Sequence, residues 1–242
     1  MRTLFLLLCA YPVWATATFV GSATSGGVAT SQTILCSAGT LTCTTGNSID
    51  IISKNGVNAT PSITCTHSGT NCTFESIANN GLTTGNITAW RVQSLPSGVT
   101  AFVVTYGSST QQAVTVAEFS GAPTGTAGTP AYTTATAIRT LTSGTITAAT
   151  GDVLLVAWGW GTSNNTISSG PTGGFTSGTN LQLLVSSRQL VVGYQIVPSG
   201  TSFSSALTLD SGGVTGTMWS AIVDAHVGSA PPAAVKRRVI IP

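Results

Sequence analysis

Short β-branched or aromatic runs, each closed by Gly, Asn, Ser or Pro, recur through this chain, and no apolar i, i+3, i+4 pattern lasts two helical turns. Glycines and Thr-Thr pairs interrupt every helical candidate. The runs predict strands over 49–52, 63–65, 87–93, 101–106, 113–119, 145–148, 153–160, 181–185, 189–197, 203–209 and 217–227. Strands at this spacing with no helices between them specify an all-β fold, an antiparallel two-sheet sandwich of jelly-roll or concanavalin-like type. Residues 123–134, rich in Gly and Thr, read as a long connection between sheets.

Charge narrows the chemistry. Eight basic and six acidic residues stand among 242, where a soluble domain carries roughly a quarter of its residues charged. Hydroxyls and amides must therefore wet the surface, and few acids, bases or metal ligands remain for catalysis. The net charge of +2 falls by one if Arg2 is removed, so no phosphate-tracking surface is expected and nucleic acid is not a partner. The one basic cluster, Lys236-Arg237-Arg238, sits in a Pro- and Ala-rich tail, residues 228–242.

Met1-Arg2-Thr3, the apolar run 4–10 and Ala15-Thr16-Ala17 form the pattern of a secretory signal, residues 1–17, with the mature chain expected to begin near Thr18. No run is long enough for a transmembrane helix. The remaining residues, 18–227, read as one domain. Cys9 leaves with the signal, and Cys36, Cys43, Cys65 and Cys72 remain as two pairs, each enclosing six residues. An even count in a secreted chain favours disulfides; of the three possible connectivities, Cys36–Cys43 with Cys65–Cys72 is the one expected, because the Gly-, Thr- and Asn-rich inserts can close as tight hairpins, although the sequence leaves the other two open. CxxC spacings are absent and His67 is the only nearby imidazole, which argues against zinc.

Two stretches carry a resemblance: Val114-Thr115-Val116-Ala117-Glu118-Phe119-Ser120-Gly121, and, after a small-residue loop, Thr145-Ile146-Thr147-Ala148-Ala149-Thr150-Gly151-Asp152-Val153-Leu154-Leu155-Val156-Ala157. Together they resemble a module of secreted bacterial proteins in which an EYSG strand end precedes a T-T-A-A-G-D-L-L-V strand start. The resemblance runs from about Asn86 to Val227 and implies an extracellular β-sandwich that binds or builds, with no assigned chemistry and no cofactor.

Trp158 and Trp160 lie two apart, so on a strand both rings project from the face that carries Leu154 and Val156. With Asn164 and Asn165 just beyond, they form a candidate carbohydrate platform, an apolar ring face beside polar partners. The competing reading places both indoles in the core. The strand 153–160 is apolar on both faces, which fits a central strand covered on each side, or on one side by a partner subunit. Glu118 alternates with Val114 and Val116 and needs donors, most simply the Ser120-Gly121 amides or Arg139. Asp152 reads as a turn residue. In the last strand Trp219, Ala221, Val223 and Ala225 alternate with Met218, Ser220, Asp224 and His226, which predicts a half-buried strand with Asp224 and His226 as a surface pair.

No metal site, phosphate loop or nucleophile elbow is found. The sequence reading is a secreted, non-catalytic module that binds carbohydrate or another cell-surface polymer. Two alternatives stand beside it: a self-associating structural subunit of a matrix or filament, and a carbohydrate-active enzyme with two carboxylates, Glu118 and Asp224, across one cleft.

Overall fold

With helical periodicity broken throughout, extended backbone is what remains, and the chain pairs it almost wholly in antiparallel ladders. A computed structural model describes residues 16–56, 61–80, 86–161, 165–185, 188–210, 214 and 216–228. The expected signal before Thr16 and the tail beyond Gly228 lie outside the described residues.

The first sheet contains β1 (Thr18–Leu35), β2 (Ser48–Asn55), β3 (Ser62–His67), β4 (Glu75–Asn79), β5 (Asn86–Val92) and β6 (Val99–Ser120). Its order is β1-β6-β2-β5-β4, with β3 beside the first half of β6. A second, central sheet adds β7 (Ala131–Thr136), β9 (Val153–Trp160), β11 (Gln182–Val185), β12 (Arg188–Ile196) and β14 (Thr217–His226) in the order β11-β12-β9-β14-β7. The third is small: β8 (Thr140–Thr142), β10 (Ile167–Ser169) and β13 (Ala206–Leu209), ordered β10-β13-β8. One 3-10 turn, Thr179–Leu181, is the only helical element among the described residues. The all-β antiparallel sandwich expected from the sequence is present, with a third layer that the sequence did not separate.

Three apolar clusters hold the layers together. Ile52, Ile87, Ala117 and Phe119 of the first sheet meet Leu155, Leu190, Trp219 and Val223 of the second. On the far side of the second sheet Leu154, Val156, Trp158, Trp160 and Ile222 pack on Leu141, Leu207 and Leu209. The third cluster joins Phe102 and Val104 from the start of β6 to Val114 and Val116 from its end, so the long strands curl over Ile49, Ile51 and Trp90.

These contacts explain why β9 is apolar on both faces: one face meets the first sheet, the other the third, all within one chain. They also correct the half-buried reading of β14. Met218, Ser220 and Ile222 are as buried as their neighbours, because the third sheet covers that face too.

Several sequence-level expectations change: the run 145–148 makes a single bridge, Ile146 to Phe203, in place of a strand, residues 131–134, expected in a connection, belong to β7, and β4, β8 and β10 fall outside the expected runs. The runs 101–106 and 113–119 are parts of one 22-residue strand, β6. The 18-residue β1 was not foreseen, since its Gly, Ser, Thr and Ala composition has no strand signature; it forms because β6 offers a partner for nearly every residue. Cys36–Cys43 and Cys65–Cys72 are both bonded, their inserts running as turns and loops rather than hairpins. Each closure of so short a loop contributes about 2–3 kcal/mol by restricting the unfolded chain.

Candidate functional site

Trp158 and Trp160 belong to the core. Both are fully buried between the second and third sheets, and the Trp158 indole N–H donates to Leu141 O at 3.1 Å. No ring face meets solvent there, so the aromatic platform expected at this strand is replaced by packing, which removes about 150–250 Å² per indole from water. Asn164 lies outside the described residues. Asn165 is buried, its Nδ2 donating to Asp210 Oδ1 at 3.1 Å, so it clamps two loops.

Most of the ionisable residues among those described are placed inside. Asp50, Lys54, Arg91, Glu118, Asp152, Asp224 and His226 are all buried. Glu118 takes five hydrogen bonds from one loop: backbone N–H of Thr42 at 3.0 Å, Cys43 at 2.9 Å and Thr44 at 2.7 Å, the Thr42 hydroxyl at 2.9 Å and Asn47 Nδ2 at 2.8 Å. The donors expected from Ser120-Gly121 and Arg139 are not the ones used; Arg139 donates to Asp210 O instead. Three successive N–H groups converge because Cys43 sits at φ 52°, a left-handed turn held by its bond to Cys36. Burial raises the carboxyl, but the hydrogen bonds from Asn47, Thr44 and Thr42 outweigh it and hold Glu118 below its ordinary range. A carboxylate so enclosed anchors a loop and has no free face for catalysis.

A register shift between Asp224 and His226 sends the two side chains to different partners, which overturns the surface pair. His226 donates from Nδ1 to Pro123 O at 3.2 Å and meets Asp50 Oδ2 at Nε2 at 2.8 Å. Asp224 lies against Asp152, which accepts from Ala149 N at 2.7 Å and Gly228 N at 2.6 Å. Burial, then the hydrogen bond and charge of Asp152, push Asp224 up to about 8, with Arg91 pulling the other way. Glu118 and Asp224 thus serve separate contacts and do not flank one cleft.

Lys54 lies between the first two sheets, its stem across Gly159, where a Cβ would sit 2.7 Å from Lys54 Cγ. Burial alone brings its ammonium down to about 8.

One group in this network reaches solvent. Arg91, fully buried, donates from Nε to Glu75 Oε2 at 2.8 Å and pairs with the same oxygen through Nη2 at 2.7 Å. It also donates to Ala225 O and, at 2.6 Å, to Gly125 O, tying β5 to β14 and to the loop after β6. Glu75, 37% exposed, opens on a cleft of about 450 Å³ that Asn71, Thr73, Gln93 and Ser94 help to line. Sequence reasoning missed it. The available signal was Arg91, a lone charge in an otherwise uncharged strand run, which has to find an acid. Among the described residues, no group of three His, Cys, Asp or Glu side chains is arranged to hold a metal.

Compared with protein-family models, curated proteins and solved structures, the chain matches none.

Proposed function

We propose that this chain is a secreted, non-catalytic structural subunit that associates with copies of itself through the β1 edge. The observation that carries this reading is the makeup of one flank. β1 is an 18-residue edge strand with no charged residue and no proline. Four of the five exposed large apolar side chains among the described residues lie on it or on β11 beside it: Val20, Val28, Leu35 and Leu184. Natural edge strands are usually kept short or charged, because an open row of N–H and C=O groups templates a further strand; the two register shifts of β1, at Phe19/Gly21 and Ala29/Ser31, leave residues 21–29 between them in one unbroken register.

The outward row is identifiable. Ser22 turns its backbone groups away from β6, accepting from Thr40 N at 3.0 Å and donating to Thr40 Oγ1 at 3.0 Å. By alternation Thr24, Gly26 and Val28 turn the same way, and beyond Thr40 no described residue caps them. A second copy is the fitting occupant, since two uncharged β1 strands meet antiparallel about a two-fold axis without like-charge repulsion. Support for the non-catalytic part is the use of the carboxylates, with Glu118, Asp50, Asp152 and Asp210 each engaged in tying segments together. Support for secretion is the amino-terminal pattern and the two disulfides; no helix of the described residues is long and apolar enough to cross a membrane.

Sedimentation velocity over a hundredfold concentration range tests the reading, with Thr24→Lys/Val28→Lys as the variant. The parent is expected to associate and the variant to stay monomeric with an unchanged circular dichroism spectrum. A parent that stays monomeric throughout would overturn it.

A further inference from the structure

We infer that the Glu75 cleft is a binding site for a neutral, hydroxyl-rich ligand, a saccharide in chemical class, separate from the assembly edge. The cleft, of about 450 Å³, falls within the roughly 300–1,000 Å³ of small-molecule sites. It lies where β4 and the end of β5 meet the loop that Cys65–Cys72 closes, and that disulfide places Asn71 and Thr73 on either side of a fixed residue.

The chemistry is set by how Glu75 is held. Three donors converge on Oε2: Arg91 Nε, Arg91 Nη2 and, at 3.2 Å, Gln93 Nε2. Oε1 accepts from no described residue, and the side chain is more than a third exposed. One carboxylate oxygen is therefore locked by a buried guanidinium, and the other is an oriented acceptor at the cleft. No further charged or aromatic side chain lines the space.

This balance selects against ions. A cation finds a carboxylate whose charge is already matched by Arg91, and an anion meets the lone pairs of Oε1. A pair of neighbouring hydroxyls fits: one donates to Oε1, and the other exchanges hydrogen bonds with the amides of Gln93 and Asn71 or the hydroxyls of Thr73 and Ser94. Pro96 offers an apolar wall for the ring C–H groups of a sugar.

The test uses the full chain, labelled with nitrogen-15, titrated with neutral di- to tetrasaccharides of glucose, galactose, mannose and N-acetylglucosamine. Saturable shifts are expected at Asn71, Thr73, Gln93 and Ser94 for at least one of these probes. Asn71→Ala, outside the strands, is expected to weaken that binding about three- to tenfold, the loss of one neutral hydrogen bond, with the melting temperature unchanged; Gln93→Ala, which also removes a donor from Glu75 Oε2, is expected to weaken binding at least as much and to lower the melting temperature slightly. Glu75→Gln is avoided because it strips the buried Arg91 of its counter-charge. Thr24→Lys/Val28→Lys, which breaks the proposed assembly, is expected to leave saccharide binding intact, so the two readings fail independently. Absence of saturable shifts with every saccharide, shifts insensitive to Asn71→Ala and Gln93→Ala, or displacement by a lysine-rich peptide or a sulfated oligosaccharide would each overturn the inference.

Discussion

The interior seam where β2, β5 and β14 face one another and the outer flank of β1 and β11 are opposites in charge. The seam holds Asp50, Lys54, Arg91 and His226, all buried, while β1 and β11 carry no charged residue. Most of the charged side chains among the described residues are not spread over the surface. Several fasten distant segments: Arg91 joins β5 to the carbonyls of Ala225 and Gly125, and Glu118 gathers the 42–47 loop. A buried charge is costly unless hydrogen-bonded, so these bonded groups become fixed points; an uncharged edge has nothing to oppose a second strand. Specificity of fold is concentrated in one region and openness to association in the other.

The contrast breaks most severely at Arg91. Arg91→Met leaves Glu75 and two carbonyls without their donor, and chemical denaturation should record a loss of about 3–5 kcal/mol. Glu118→Gln comes next, because an amide presents its own N–H groups to a ring of donors; a loss of about 2 kcal/mol is expected in the same assay. Lys54→Met has the opposite sign. It replaces an ammonium that burial disfavours with an apolar chain of similar length, and a gain of about 1 kcal/mol at pH 7 is expected.

The buried groups also dictate a pH profile. Glu118, held below its ordinary range, contributes stability above that range, which is lost on acidification through its folded value. Asp224, pushed up to about 8, keeps a proton that the unfolded chain releases near pH 4, so its contribution falls as pH rises from about 4 to 8. Lys54, brought down to about 8, has released a proton that the unfolded chain holds until about pH 10.4, so stability climbs between those values. Thermal melts across pH should therefore pass through a minimum near pH 8. Asp224→Asn is expected to flatten its acid side and Lys54→Met its alkaline side; melts that stay level from pH 5 to 10 would contradict both assignments. The smallest effect on stability belongs to the flank, where Val28→Lys should change the folding free energy by less than about 0.5 kcal/mol while altering association.

Strand identity was legible wherever β-branched residues cluster, as in β2, β9 and β12, because burial on a pleated surface favours those side chains directly. β1 was hidden because its pairing comes from β6, 66 to 102 residues away, and no local pattern encodes that. Of the three cysteine pairings open to the sequence, the expected one formed, though its short inserts run as turns and loops and not as the hairpins on which the choice rested. At Trp158 and Trp160 alternation placed both rings on one face correctly, but it gives no information on what covers that face; the third sheet, built from Leu141, Leu207 and Leu209, decides it. Asp224 and His226 fail for a different reason, since one bulge cancels the alternation on which a shared face depends. The Glu75 cleft depends on a loop, a strand end and a disulfide meeting in space, which is the kind of arrangement a linear reading does not contain.

Hydrogen–deuterium exchange of the β1 amides at low and high protein concentration reads association at this edge residue by residue. The outward amides of Thr24, Gly26 and Val28 are expected to exchange rapidly when dilute and to become protected as concentration rises, with the β6 amides unchanged. Exchange at those three residues that does not depend on concentration, or new protection confined to β4 and β7 at the opposite edge, would contradict association through β1.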